Sequence, residues 1–144
     1  MLKRFTQALA GLVMLAAVGA AQERPCSSIA IKAERRADSF FDIFIEVVET
    51  PPSTPSWLMV GLDAGETKWE LPGHTAILGI ENIVATPFLG RSDDRGSVGR
   101  RFLLPSDLAL MGFHVQSVNV SVTPSKDGRP DVDTCLSNAT PLLD

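Results

Sequence analysis

Tyrosine is absent from this 144-residue chain, histidine and cysteine occur twice each, and aromatic residues make up only 6%. Two histidines leave little material for proton transfer near neutral pH, the range in which an unperturbed imidazole titrates. His74 follows Pro72 and Gly73 in an expected turn, and His114 sits inside a β-type run. Joint metal ligation would need both brought to a carboxylate, and no ligand-spacing signature marks such a site. The cysteines lack C-x-x-C spacing, which argues against a redox pair or a zinc framework. G-x-S-x-G is missing too: the nearest string, Gly96-Ser97-Val98-Gly99, follows Asp94-Arg95 and reads as a turn that opens a strand. No recognisable nucleotide-binding loop, internal repeat or low-complexity tract is present. These absences leave no motif from which a catalytic role or a cofactor could be assigned, and none is expected.

Strong positive charge is also lacking. Thirteen basic residues stand against 17 acidic ones, and Arg35, Arg36, Arg91, Arg95, Arg100 and Arg101 are interspersed with acids and apolar residues. Nucleic acid is therefore not an expected partner, since affinity for phosphate backbones comes from clustered Lys and Arg. The same reasoning counts against a membrane surface.

One long apolar run stands out, Ala8 to Ala21, which contains no charge and is preceded by Lys3 and Arg4. At roughly 14 residues it is shorter than the ~20 that cross a bilayer as a helix, and it ends in the small residues Val18, Gly19, Ala20 and Ala21. That is the layout of a cleaved signal peptide over residues 1–21, leaving 22–144 as one exported domain that is secreted, periplasmic or at the cell surface. Cys26 follows Arg24 and Pro25 rather than small residues, so lipid attachment is not expected. No second such run follows, so no membrane span is expected after processing. Without Lys3 and Arg4 the net charge falls from −4 to about −6.

In an oxidising compartment, Cys26 and Cys135 are expected to form one disulfide. Closing a loop of about 110 residues would restrict the unfolded chain by up to ~4.7 kcal/mol in the entropy model.

What is abundant is period-two alternation. Phe41, Ile43, Ile45 and Val47 share one face of a strand. Further runs occur at Ser28–Ala33, Trp57–Leu62, Thr67–Leu71, Thr75–Ala85, Ser97–Leu104, Phe113–Thr123 and Thr134–Leu142. Breakers separate them, including the proline-rich Thr50–Ser56, Asp63–Glu66, Gly90–Gly96 and Pro124–Pro130. Seven to eight short strands divided by turns predict an all-β fold, a small antiparallel β-sandwich. Ser106–Gly112 is the one expected helical turn. The apolar parity in Phe113–Thr123 switches near Gln116 and Ser117, which implies either a β-bulge there or a strand buried on both faces.

From Trp57 onward the chain carries Trp57-Leu58-Met59-Val60-Gly61-Leu62, Leu71-Pro72-Gly73, Asp94-Arg95-Gly96, Leu104-Pro105-Ser106-Asp107-Leu108, Met111-Gly112 and Leu136-Ser137-Asn138-Ala139. In these elements it resembles the C-terminal β-rich module of an uncharacterised family of bacterial secreted proteins, and Gln116 occupies the place of a glutamine typical of that module. The resemblance implies an exported β-sandwich and transfers no site.

Several residues remain as site candidates. Asp93 and Asp94 in one loop, with Asp131 and Asp133 in another, could supply oxygens to calcium, but neither loop has EF-hand spacing and Arg95 opposes a cation. Asn119-Val120-Ser121 and Asn138-Ala139-Thr140 fit the N-glycosylation pattern. Asp42 and Glu46 share a strand face at about 13 Å, wider than a glycosidase pair. Trp57 opens an apolar strand and is expected in the core. Trp69, between Lys68 and Glu70, is expected to be half-exposed and is the candidate ligand contact. The sequence thus points to an exported, non-enzymatic domain that binds or associates at the envelope or outside the cell. The alternatives are a carbohydrate-binding module and a small extracellular hydrolase.

Overall fold

The alternation that begins at Phe41 does what the pattern demands: Ile43, Ile45 and Val47 are buried, while Glu46 between them is exposed. Each such burial stabilises the fold by roughly 1.5–3 kcal/mol, so these three side chains fix the strand's register. The computed structural model describes residues 25–143. The segment read as a signal peptide, residues 1–21, lies outside them.

Nine strands and one short helix are found among the described residues: β1 (Ser28–Arg35), β2 (Phe40–Val48), β3 (Pro55–Leu71), β4 (His74–Ala85), β5 (Phe88–Arg91), β6 (Val98–Pro105), α1 (Ser106–Ala109), β7 (His114–Pro124), β8 (Pro130–Leu136) and β9 (Thr140–Pro141). They form two antiparallel sheets. The smaller has the order β1-β2-β6, and the larger runs β4-β3-β7-β8, with β5 on β3 and β9 on β7. The all-β expectation holds at this level.

The sheets share a core. Ile29, Ile43, Ile45 and Val47 from the small sheet pack with Leu58, Leu89 and Val115 from the large one and with Leu142, just past β9. Disulfide Cys26–Cys135 joins them at one edge, with Cα atoms 5.2 Å apart and Cys26 N donating to Leu136 O at 2.8 Å. At the opposite edge Arg100 on β6 donates to the carbonyl of Phe88 on β5.

Two sequence expectations are corrected here. Asp63–Glu66, read as a breaker between two strands, lies inside the single 17-residue β3. The chain does not turn there; it bends, with register shifts against β4 between Val60 and Gly61 and between Ala64 and Thr67. Gly61 permits the bend, since a Cβ there would fall 2.6 Å from the carbonyl oxygen of Glu81. The run Thr134–Leu142 is likewise divided into β8 and β9.

The parity switch in β7 has the second of its two explanations. Pairing with β3 runs from Ser56↔Asn119 to Gly61↔His114 without a shift, and every residue from Val115 to Asn119 is buried. The strand is covered on both faces. Val115 enters the core between the sheets, whereas Val118 joins Met59, Leu78 and Ile80 in a second cluster on the far side of the large sheet.

That second cluster exists because the β3–β4 hairpin curls over the sheet that carries it. Gln116 clamps the curl: its Oε1 accepts from Gly79 N at 2.9 Å and its Nε2 donates to Ser137 O at 2.7 Å. His74 Nε2 and Thr134 Oγ1 share a 2.8 Å hydrogen bond, so β4 and β8, the outer strands of the sheet, are brought together.

Candidate functional site

The curled hairpin leaves an open apolar groove of about 650 Å³ at its mouth, within the range of small-ligand pockets. The first half of β3 supplies Trp57 and Met59 to its wall, the second half supplies Thr67, Trp69 and Leu71, and β7 supplies Val120 and Val122. These residues meet because β3 is long enough to form the groove's floor and then, past the bend, its far side.

Trp69 is half-buried, as expected, and packs against the second cluster. Its strand neighbours Lys68 and Glu70 are exposed, which is why its polar flanks marked it in the sequence. Trp57 corrects the expectation of a core residue: it is 37% exposed. Its ring lies 4.7 Å from that of Phe88 at 54°, in the tilted arrangement aromatic pairs favour. The missed signal is non-local, because only pairing with β5 places Phe88 opposite Trp57.

Polar groups in the groove are few. Thr67 Oγ1 already donates to Ile80 O at 2.6 Å, leaving Thr86 as the other polar side chain in the lining. The site therefore offers apolar area and two indole side chains, with little to orient a hydroxyl-rich ligand by hydrogen bonds.

The remaining candidates fall elsewhere. Asp42 faces Arg36 at 3.1 Å and Arg101 at 3.5 Å, while Glu46 on the same strand is exposed. Ser97 N donates to Asp93 Oδ1 at 2.9 Å, and Arg95 N does the same, so Asp93 organises the Asp93–Gly96 turn. Gly96 is required there: its φ is +75°, and a Cβ would lie 2.1 Å from Thr50 O. Asp131 and Asp133 are exposed positions on β8. His74 is bonded to Thr134, and His114 stands at the start of β7 with Nδ1 buried and unpartnered among the described residues. Among the described residues, no three His, Cys, Asp or Glu side chains gather in a metal-binding group, and no helix is long and apolar enough to cross a membrane.

The two glycosylation-type asparagines separate clearly. Asn138 is exposed. Asn119 is fully buried, with Oδ1 accepting from Ser56 Oγ at 3.0 Å and Nδ2 donating to Thr54 Oγ1 at 2.9 Å. The folded chain gives no access to that side chain.

The chain matches no family model, no curated protein and no solved structure. What the sequence resemblance contributes is accordingly confined to the β architecture.

Proposed function

We propose that the protein is an exported binding domain, without catalytic activity of its own, that works through the groove shared by Trp57 and Trp69. The observation that carries this reading is the convergence of two indoles on one open apolar groove of about 650 Å³. Indole rings supply large, rigid contact area and dominate binding where they are buried by a partner. Export is supported by the basic, then apolar, then small-residue order of residues 1–21, and by a disulfide that suits an oxidising compartment. The ligand class that fits is an apolar segment of an envelope or extracellular protein, held by contact area rather than by hydrogen bonds. The two facing sheets act as a β-sandwich scaffold that holds the groove rigid.

A carbohydrate-binding role is the second reading, favoured by the two indoles that line one groove, since sugar rings dock their apolar faces on aromatic rings. The hydrolase reading has less support, because Asp42 is engaged by two arginines on the small sheet while the groove lies on the large one.

Screening the purified protein against arrays of hydrophobic peptides and of glycans tests both. Peptide binding that falls at least tenfold in Trp69→Ala supports the favoured reading. Glycan binding with the same sensitivity supports the second. Binding to neither, or binding indifferent to Trp69→Ala and Trp57→Ala, removes the groove as the working surface.

A further inference from the structure

A second apolar space lies between the two sheets, separate from the groove. It measures about 260 Å³. Ile45, Leu58, Phe113 and Val115 in its lining are buried, whereas Val84 and Leu108, on its solvent-facing side, are 54% and 41% exposed. The lining thus grades from core to solvent, along a slot between β6 with α1 on one side and the link from β4 to β5 on the other. An apolar space of this kind accepts apolar matter and offers water none of the two to four polar partners it needs.

The charge at the slot distinguishes it from an ordinary packing defect. Arg100 precedes Phe102, a lining residue, and holds its guanidinium 5.2 Å from the centroid of that ring. One of its amino groups donates to the carbonyl of Phe88, next in sequence to Pro87, another lining residue. The neighbouring Arg101 pairs with Asp42 at 3.5 Å, but Arg100 has no carboxylate partner among the described residues. A guanidinium has five donors, so several remain for an anion. Asp107 lies on α1 beside Leu108, at the far end of β6 from Arg100, and favours an anion at the Arg100 end.

We infer that this slot is a binding site for a medium-chain carboxylate, with the alkyl chain between the sheets and the head group at Arg100. At roughly 30 Å³ for each heavy atom, the volume one water takes up in the liquid, the slot holds about nine carbons. Decanoate, with nine carbons beyond its carboxylate carbon, is the matching probe.

Calorimetric titration of the disulfide-bonded protein with decanoate and with decanol, below their aggregation limits, tests the site. Decanoate binds one to one, and Arg100→Gln, a surface substitution, weakens it at least fivefold while leaving decanol unchanged. Leu108→Trp, which adds bulk to an exposed residue of the lining, weakens both ligands at least fivefold. Trp69→Ala, in the groove, changes neither. Circular dichroism confirms that each variant is folded. No binding of decanoate by the wild-type protein, or an affinity indifferent to Arg100→Gln, overturns the inference. So does binding lost in Trp69→Ala, which moves the ligand to the groove.

Discussion

Asn119 uses both ends of its amide while wholly removed from solvent, and the bonds it makes continue outward. Thr54 Oγ1, which receives the Asn119 Nδ2 proton, donates in turn to Pro51 O at 2.8 Å, and Ser92 Oγ donates to the same carbonyl at 2.7 Å. The proline-rich segment before β3 is therefore fastened to β7 through side chains, where proline nitrogens have no proton to offer. Truncation to alanine would strand Ser56 Oγ and take away the proton that Thr54 Oγ1 receives, leaving Thr54 its bond to Pro51 O. Leaving a buried polar group unpaired costs about 1–3 kcal/mol, so Asn119→Ala is expected to lower unfolding free energy by ~2–3 kcal/mol, read from the urea midpoint at unchanged slope. A loss under ~0.5 kcal/mol would mean that water replaces both bonds. Asn138→Ala, at an exposed position, is the control and should leave the midpoint in place.

At the scale of elements, the decisive one is β3, whose bend converts a flat hairpin into a cover. Gly61→Val adds branched bulk where even a Cβ meets the Glu81 carbonyl at 2.6 Å, and the hairpin must open to admit it. Stability is expected to fall by at least ~2 kcal/mol, as overpacking usually costs 1–3. Trp69 fluorescence should shift to the red as its packing against the second cluster loosens; a blue shift or no shift would show that the bend tolerates the side chain. Sequence alone reached much of this level. Strands β1, β2, β4 and β6 lie where alternation put them, and Ser106–Ala109 is the expected helical turn. It failed at Asp63–Glu66, because a bulge and a turn use the same small and acidic residues, and only the partner strand distinguishes them. It passed over β5, whose four residues Phe88–Arg91 are held by pairing with β3 rather than by any pattern of their own. The groove was half legible: Lys68 and Glu70 exposed Trp69 to notice, whereas the company of Trp57 depends on contacts distant in sequence.

For the molecule as a whole, the one covalent link between the sheets among the described residues, besides the backbone, is Cys26–Cys135, spanning 109 residues. Replacing both cysteines by serine should lower unfolding free energy by ~2–5 kcal/mol, the usual effect of removing a native bridge from a small domain. Urea titration of the double variant against the oxidised parent measures it. Hydrogen exchange should rise first at β1 and β8, the strands next to the bridge, and a uniform rise over both sheets would contradict its role as an edge staple.

The spacing of those two cysteines also imposes an order of events. A chain made from its N-terminus presents Cys26 long before its partner, so the thiol must wait, reduced or in temporary mixed disulfide, until nearly all strands have been delivered. Bridge closure is thus tied to the completion of the chain: a product cut short before residue 135 lacks the second sulfur, and Cys26 is left as a free thiol.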